Sequence, residues 1–160
     1  MQKVGNQYGF TIIEALVVVG IIAILLLFAL PSQISRLNQT KIAETVELVE
    51  KFKVNIQLHY ELTGKFPKDN DEAAMPQPDK ILGNYLKRVV MLDGAMHLVL
   101  GQKLSRLEDQ VLTIYPVYVK DYPASPLSWV CGYDGVPGGM KASGENKTNV
   151  KKENLPIRCR

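Results

Sequence analysis

Residues 9–31 read GFTIIEALVVVGIIAILLLFALP, an apolar run whose one charged side chain, Glu14, sits near its start. In a single α-helix, residues 10–30 would rise roughly 31 Å at about 1.5 Å per residue, close to the hydrocarbon thickness of a bilayer. The run therefore reads as a membrane-length helix. An acid inside such a helix costs on the order of 2 to 4 kcal/mol at mid-bilayer and less near an end, so it calls for a cation. Side chains offer none between Lys3 and Arg36. Cutting the chain after Gly9 would create one. The new α-amino group of Phe10, with an ordinary pKa of about 8, would be mostly protonated at neutral pH and would stand one helical turn before Glu14. Amine and acid then pair within one helix or between two. In the second case a burial cost becomes a rule for setting subunit register.

Two ordinary readings compete with this one, a secretory signal and a plain membrane anchor. A secretory signal has an apolar core of about 7 to 15 residues followed by a small-residue cleavage site, whereas this run is longer and ends in Leu30-Pro31. A plain anchor is only weakened by Glu14. Lys3 in a short leader, Gly9, Phe10, Thr11, Glu14, the long apolar run and Pro31 together resemble the class III signal and N-terminal helix of type IV pilins. The resemblance covers residues 1–62 most closely. It implies that a prepilin peptidase cuts between Gly9 and Phe10 and N-methylates Phe10. It also implies that Glu14 neutralises the amino terminus of an adjacent subunit, and that the stretch bracketed by Gly20 and Pro31 loses helicity in the filament. Pro31 itself removes a helical hydrogen bond and predicts a kink or a melted turn.

Past Pro31 the pattern is that of a helix from 32 to 62. Ile42, Val46, Val49, Phe52, Ile56 and Tyr60 draw one apolar stripe at three- and four-residue spacing, and Thr63-Gly64 with Pro67 ends it. Residues 65–84 hold Pro67, Pro76, Pro78 and Gly83 among polar neighbours and read as a long surface connection. Leu86 to Leu92 and Ala95 to Leu100 flank Asp93-Gly94, a strong hairpin signal. Val111 to Val119 and Leu127 to Tyr133 supply further strands, giving an antiparallel sheet of about four. The sheet and the helical stripe each need a cover and supply one another's. The expected fold is α+β: a cleaved leader 1–9, a transmembrane and filament-core helix 10–31, and a globular head 32–160.

Cys131 and Cys159 form an even pair in an exported domain, which favours a disulfide closing the C-terminal loop, with two free thiols as the alternative. On the chain-entropy model that closure is worth roughly 3 to 4 kcal/mol. Between and beyond them lie Lys141, Lys147, Lys151, Lys152, Arg158 and Arg160, a basic stretch able to face DNA phosphates, a host surface or an acidic neighbour, or to be only a solvated surface. Asn146-Lys147-Thr148 fits the glycosylation acceptor pattern, which is short and common. The net charge of +3 names no partner. No glycine-rich phosphate loop, nucleophile elbow or His/Cys/Asp/Glu cluster is present, so neither catalysis, a metal nor a cofactor is expected.

The resemblance implies a structural subunit, held in the inner membrane with its head in the periplasm and then polymerised with itself and minor pilins into an extracellular pilus. Adhesion, twitching motility and DNA uptake are the roles it implies, with the peptidase, an inner-membrane platform protein and an assembly ATPase as partners. A type II secretion pseudopilin and a DNA-receptor minor pilin are the alternatives. Pseudopilins usually hold the chain end with calcium, and the late cysteine pair favours the pilus.

Overall fold

The computed structural model describes residues 9–160 except 105 and 123, with the backbone alone at 28–32. Residues 1–8 of the expected leader, the Pro31 ring and the last apolar side chains before it thus lie outside the described residues. The chain divides into two units, the boundary falling after Ser35.

The unit before that boundary is the first part of helix α1, Ile12–Val49, preceded by non-helical Gly9, Phe10 and Thr11. From Ile12 to Leu27 its side chains, Glu14 apart, are apolar on every face, the pattern of a helix meant to be surrounded by apolar material. The helix is unbroken through position 31. The melted turn expected there is therefore not a property of the single chain.

The unit after it is built on the stripe. The end of α1 and helix α2, Phe52–Thr63, bury Ile42, Val46, Val49, Phe52, Ile56 and Tyr60, at roughly 1.5 to 3 kcal/mol for each side chain fully removed from water. One continuous helix to 62 was expected, and the chain instead breaks at Glu50 and Lys51. Glu50 N–H donates to the Glu47 carbonyl (3.2 Å) and Lys53 N–H to that of Glu50 (3.1 Å), both bonds of the three-residue type. The cause lies in the stripe itself. Val46, Val49 and Phe52 are spaced three and three, and an ideal α-helix would rotate that succession off the buried face. A turn of 3.0 residues keeps all three inward. Gly64, at φ 68°, closes α2 by donating to the Tyr60 carbonyl (2.8 Å).

Five antiparallel strands follow: β1 Leu86–Leu92, β2 Ala95–Leu100, β3 Val111–Val119, β4 Ser128–Cys131 and β5 Met140–Ala142. The order is β1-β2-β3-β4, and β5 pairs with the end of β3. The β1–β2 turn has positive φ at both Asp93 (49°) and Gly94 (84°), the twist-matched hairpin geometry. A side chain at Gly94 would also strike Phe66 at 2.9 Å. Met96, Leu98, Leu100, Leu112 and Ile114 join the helical stripe in one core.

Strand β2 buries all six of its residues, so both faces of the sheet are covered. Ala95, Tyr115, Val117 and Val130 form a second cluster, with Met140 packed on it. The expected surface connection 65–84 is pinned as well. Asn70, 4% exposed, donates to the carbonyls of Pro76 (3.0 Å) and Val89 (3.1 Å) and accepts from Met91 N–H (2.8 Å). It supplies β1, the edge strand, with the partners that a further strand would otherwise provide.

Candidate functional site

The start of α1 and the residues just before it hold Gly9, Phe10 and Glu14, three of the residues that the sequence singled out. Thr11 is the N-cap of α1: its carbonyl accepts from Ala15 N–H (3.1 Å) and its hydroxyl from Glu14 N–H (3.3 Å). Glu14 is the acidic residue of that first turn, where the positive end of the helix macrodipole favours it. Gly9 and Phe10 lie just outside the helix, so the bond between them is not part of the helical ladder.

Among the described residues nothing covers the helix around Glu14. Of the large apolar side chains from Phe10 to Leu27, even the least exposed, Val18, leaves 44% of its surface open, and Phe10 leaves 75%. A Cβ at Gly20 would meet nothing within 4 Å. Its own chain gives no steric reason for a glycine that costs about 1 kcal/mol of helix propensity relative to alanine. The described apolar stretch of α1, residues 12–27, is about 24 Å long. Among the described residues no helix is long and apolar enough to cross a membrane.

The C-terminal segment is held more tightly than its glycine-rich composition foretold. Cys131 and Cys159 are joined in a disulfide that closes a separation of 28 residues. Between them the chain is stitched along β3. Ser143 N–H donates to the Pro116 carbonyl (3.0 Å), Lys147 N–H to Thr113 Oγ1 (3.0 Å), and Asn149 N–H to the Val111 carbonyl (3.0 Å). Val150, Leu155 and Cys159 are fully buried. Asn146 is engaged too, its amide donating to the Gly132 carbonyl (2.6 Å) and its oxygen accepting from Thr148 N–H (3.0 Å). In the glycosylation pattern it thus has a turn-forming part.

The six basic residues of this segment are distributed along it. Lys141 stands opposite Tyr118 in the β3–β5 pairing. Lys147 lies against Thr113, roughly 17 Å further along β3 at about 3.4 Å per residue. The Lys152 ammonium sits over the Tyr133 ring at 5.5 Å. Arg158 lines a small cleft with Glu50, Lys53, Trp129 and Asp134, and Arg160 Nε donates to the Leu155 carbonyl (2.9 Å). Lys151 is exposed. Lys141 and Lys147 at least do not share one phosphate-sized spot.

Sequence reasoning passed over His97. It lies buried on β2 with Nδ1 3.0 Å from Thr113 Oγ1, and its Nε2 finds no partner among the described residues. Burial holds its pKa below the ordinary histidine value, the Lys147 ammonium adds to that, and the Glu145 carboxylate opposes it. The signal available in the sequence was position: His97 alternates with Met96 and Leu98 and so points to the face opposite the main core.

Comparison with known proteins bears on the same residues. The prokaryotic N-terminal methylation motif matches residues 5–30. The chain is 28% identical over 159 residues to the type IV major pilin protein PilE1 of Neisseria gonorrhoeae, covering 96% of this chain and 87% of that one. It is 27% identical to a fimbrial protein of Neisseria meningitidis serogroup B, covering 96% and 94%. Over 79 residues it is 34% identical to the type IV major fimbrial protein FimA of Dichelobacter nodosus, about half of each chain (49% and 48%). A methylation motif over the capped apolar helix, an α+β head with its late disulfide, and relatives matched along almost the whole length agree, and the chain is similar to the type IV major pilins.

Proposed function

We propose that this chain is the structural subunit of a type IV pilus. It is made as a prepilin, cut between Gly9 and Phe10, methylated on the new Phe10 amine, and polymerised through its N-terminal helix. The observation that carries the reading is the first part of α1, residues 12–27, apolar on every side with a single carboxylate, Glu14, in its capped first turn. Residues 10–31 hold the subunit in the inner membrane before assembly, with the head, 32–160, on the periplasmic side. In the fibre the same helices pack on each other. Such a helix carries on the order of 1,000 Å² of apolar surface, so at about 25 cal/mol per Å² packing conserves tens of kcal/mol that leaving lipid would otherwise forfeit. Glu14, paired with a neighbour's Phe10 amine, sets the stagger between subunits. Gly20 and Pro31 bracket the part of the helix that yields when the fibre forms.

The peptidase, the platform protein and the assembly ATPase are the partners this function requires. The head has a structural task, presenting its surface on the fibre. A disulfide-closed chain end favours a pilus over a secretion pseudopilus. The test is to shear filaments from cells expressing the full chain and read the subunit by mass spectrometry. The expected mature chain begins at a methylated Phe10, and Gly9→Val abolishes the cut. Filaments built from chains that still begin at Met1 would overturn the processing scheme, and cells whose filaments never contain the chain would overturn the function.

A further inference from the structure

We infer that Thr11 is a positioning residue for assembly: by capping α1 it fixes where the helix begins, two residues past the cut, and so fixes where Glu14 stands relative to the Phe10 amine. The inference rests on the cleavage and pairing just proposed. Thr11-Ile12-Ile13-Glu14 has the spacing of a capping box, in which a hydroxyl at the cap serves the N–H three residues on. The geometry matches at both atoms of Thr11. Its carbonyl opens the helical ladder to Ala15, and its hydroxyl takes the Glu14 N–H that the ladder leaves without a partner.

The cut makes this cap matter. Before cleavage the residues preceding Thr11 continue the chain. Afterwards only Phe10 precedes the cap, and nothing upstream holds the helix start in place. Each residue by which the start slips moves the Phe10 amine, relative to Glu14, by about 1.5 Å along the axis and about 100° around it. Glu14 can meet a neighbour's amine reproducibly only if that slip is suppressed. Charge adds a second reason. An ammonium directly before a helix faces the positive end of the macrodipole, and a carboxylate held in the first turn offsets it. The side chain at position 11 therefore acts through Glu14 and makes no claim on the amine itself.

The test uses the full chain in a host with working processing and assembly, and compares Thr11→Val, of nearly equal shape, with Thr11→Ser and Thr11→Asn, which keep a capping atom. The cut fraction is read by mass spectrometry and the fibre yield from sheared preparations. Each variant is also made in the Glu14→Gln background. All are expected to be cut between Gly9 and Phe10. Thr11→Ser and Thr11→Asn assemble like the unchanged chain, whereas Thr11→Val loses fibre about fivefold, the factor that corresponds to a typical cap of about 1 kcal/mol. In the Glu14→Gln background Thr11→Val changes nothing further. Equal fibre yields from Thr11→Val and Thr11→Ser would overturn the positioning role while leaving cleavage intact. So would an equal additional loss in both Glu14 backgrounds. Failure of the unchanged chain to be cut at Gly9 would instead remove the processing scheme on which the inference stands.

Discussion

Asn70→Ala removes three hydrogen bonds with one substitution and leaves the backbone free to stay where it is. Two of the groups it abandons, the Val89 carbonyl and the Met91 N–H, belong to the outer edge of β1 and are buried, while the third, the Pro76 carbonyl, is partly so. Stranding a buried polar group costs about 1 to 3 kcal/mol. Two buried groups, with some relief from water that follows the loop outward, give an expected loss of about 2 to 4 kcal/mol. Denaturant unfolding of the full chain in detergent reads this through Trp129, the one tryptophan in the sequence. Asn70→Asp separates the donor from the acceptor. It keeps an oxygen for Met91 N–H but turns a carboxylate toward the Val89 and Pro76 carbonyls. It should therefore be at least as damaging at neutral pH and recover in acid, where the protonated carboxyl can donate again. The loop carries buried Ala73, Met75 and Ile81 with it, so loosening it bares a strand edge able to pair with other chains. A loss below about 0.5 kcal/mol for Asn70→Ala would refute the pinning role, because surface substitutions do no more than that.

Replacing both cysteines, Cys131→Ala with Cys159→Ala, should lower stability by about 3 to 4 kcal/mol, the chain-entropy value for a closed loop of this length. An unchanged denaturation midpoint would show that the stitching along β3 suffices alone. His97 should make the head acid-sensitive. Its folded pKa lies below its unfolded value, so the unfolded chain binds more protons, and the stability present above the ordinary histidine pKa is lost as pH falls through that value toward the lower folded one. Unfolding midpoints between pH 7.5 and 5 should show this slope, and His97→Gln should flatten it; equal slopes in the two chains would count against it. Gly20→Ala meets no contact in its own chain, so it should raise helix stability in detergent by about 1 kcal/mol while reducing fibre yield. Unchanged fibre yield would mean that position 20 neither unwinds nor packs closely in the filament.

Most of the head was legible because its signals are local. The Asp93-Gly94 turn forced the hairpin, β1 to β3 have the bounds the sequence pattern set, and Gly64 stopped α2 at the expected residue. The break at Glu50 was legible in principle, in the two consecutive three-residue steps from Val46 to Phe52, but no glycine or proline marks it. The covered second face of the sheet was not. It depends on residues 143–149 returning across β3, bonded to it by Thr148 and Asn149 side chains and held to Gly132 by Asn146, a segment that reads locally as a polar loop. Asn70 escaped for the same reason, since only the folded neighbourhood tells an asparagine that pins a strand from one that decorates a loop. In the site, Gly9, Phe10 and Glu14 stood out by charge and spacing, and Thr11 belongs with them through a capping pattern equally visible in the sequence. The basic residues shared only their sequence neighbourhood. The fold distributes them along β3 and the tail, because β5 and the stitched segment meet different ends of one strand.

The most direct measurement is fibre yield from Glu14→Gln, read beside the mass of its mature chain. The side chain keeps its size and loses its charge. If the acid in the first turn pairs with a neighbour's Phe10 amine, the variant is cut after Gly9 as efficiently as the unchanged chain, accumulates in the membrane, and forms fibres at a tenth of the normal yield or less, since burying an amine without its partner costs more than 1.4 kcal/mol. Normal fibres, in normal amount, from fully processed Glu14→Gln chains would contradict the pairing on which the whole assembly scheme depends.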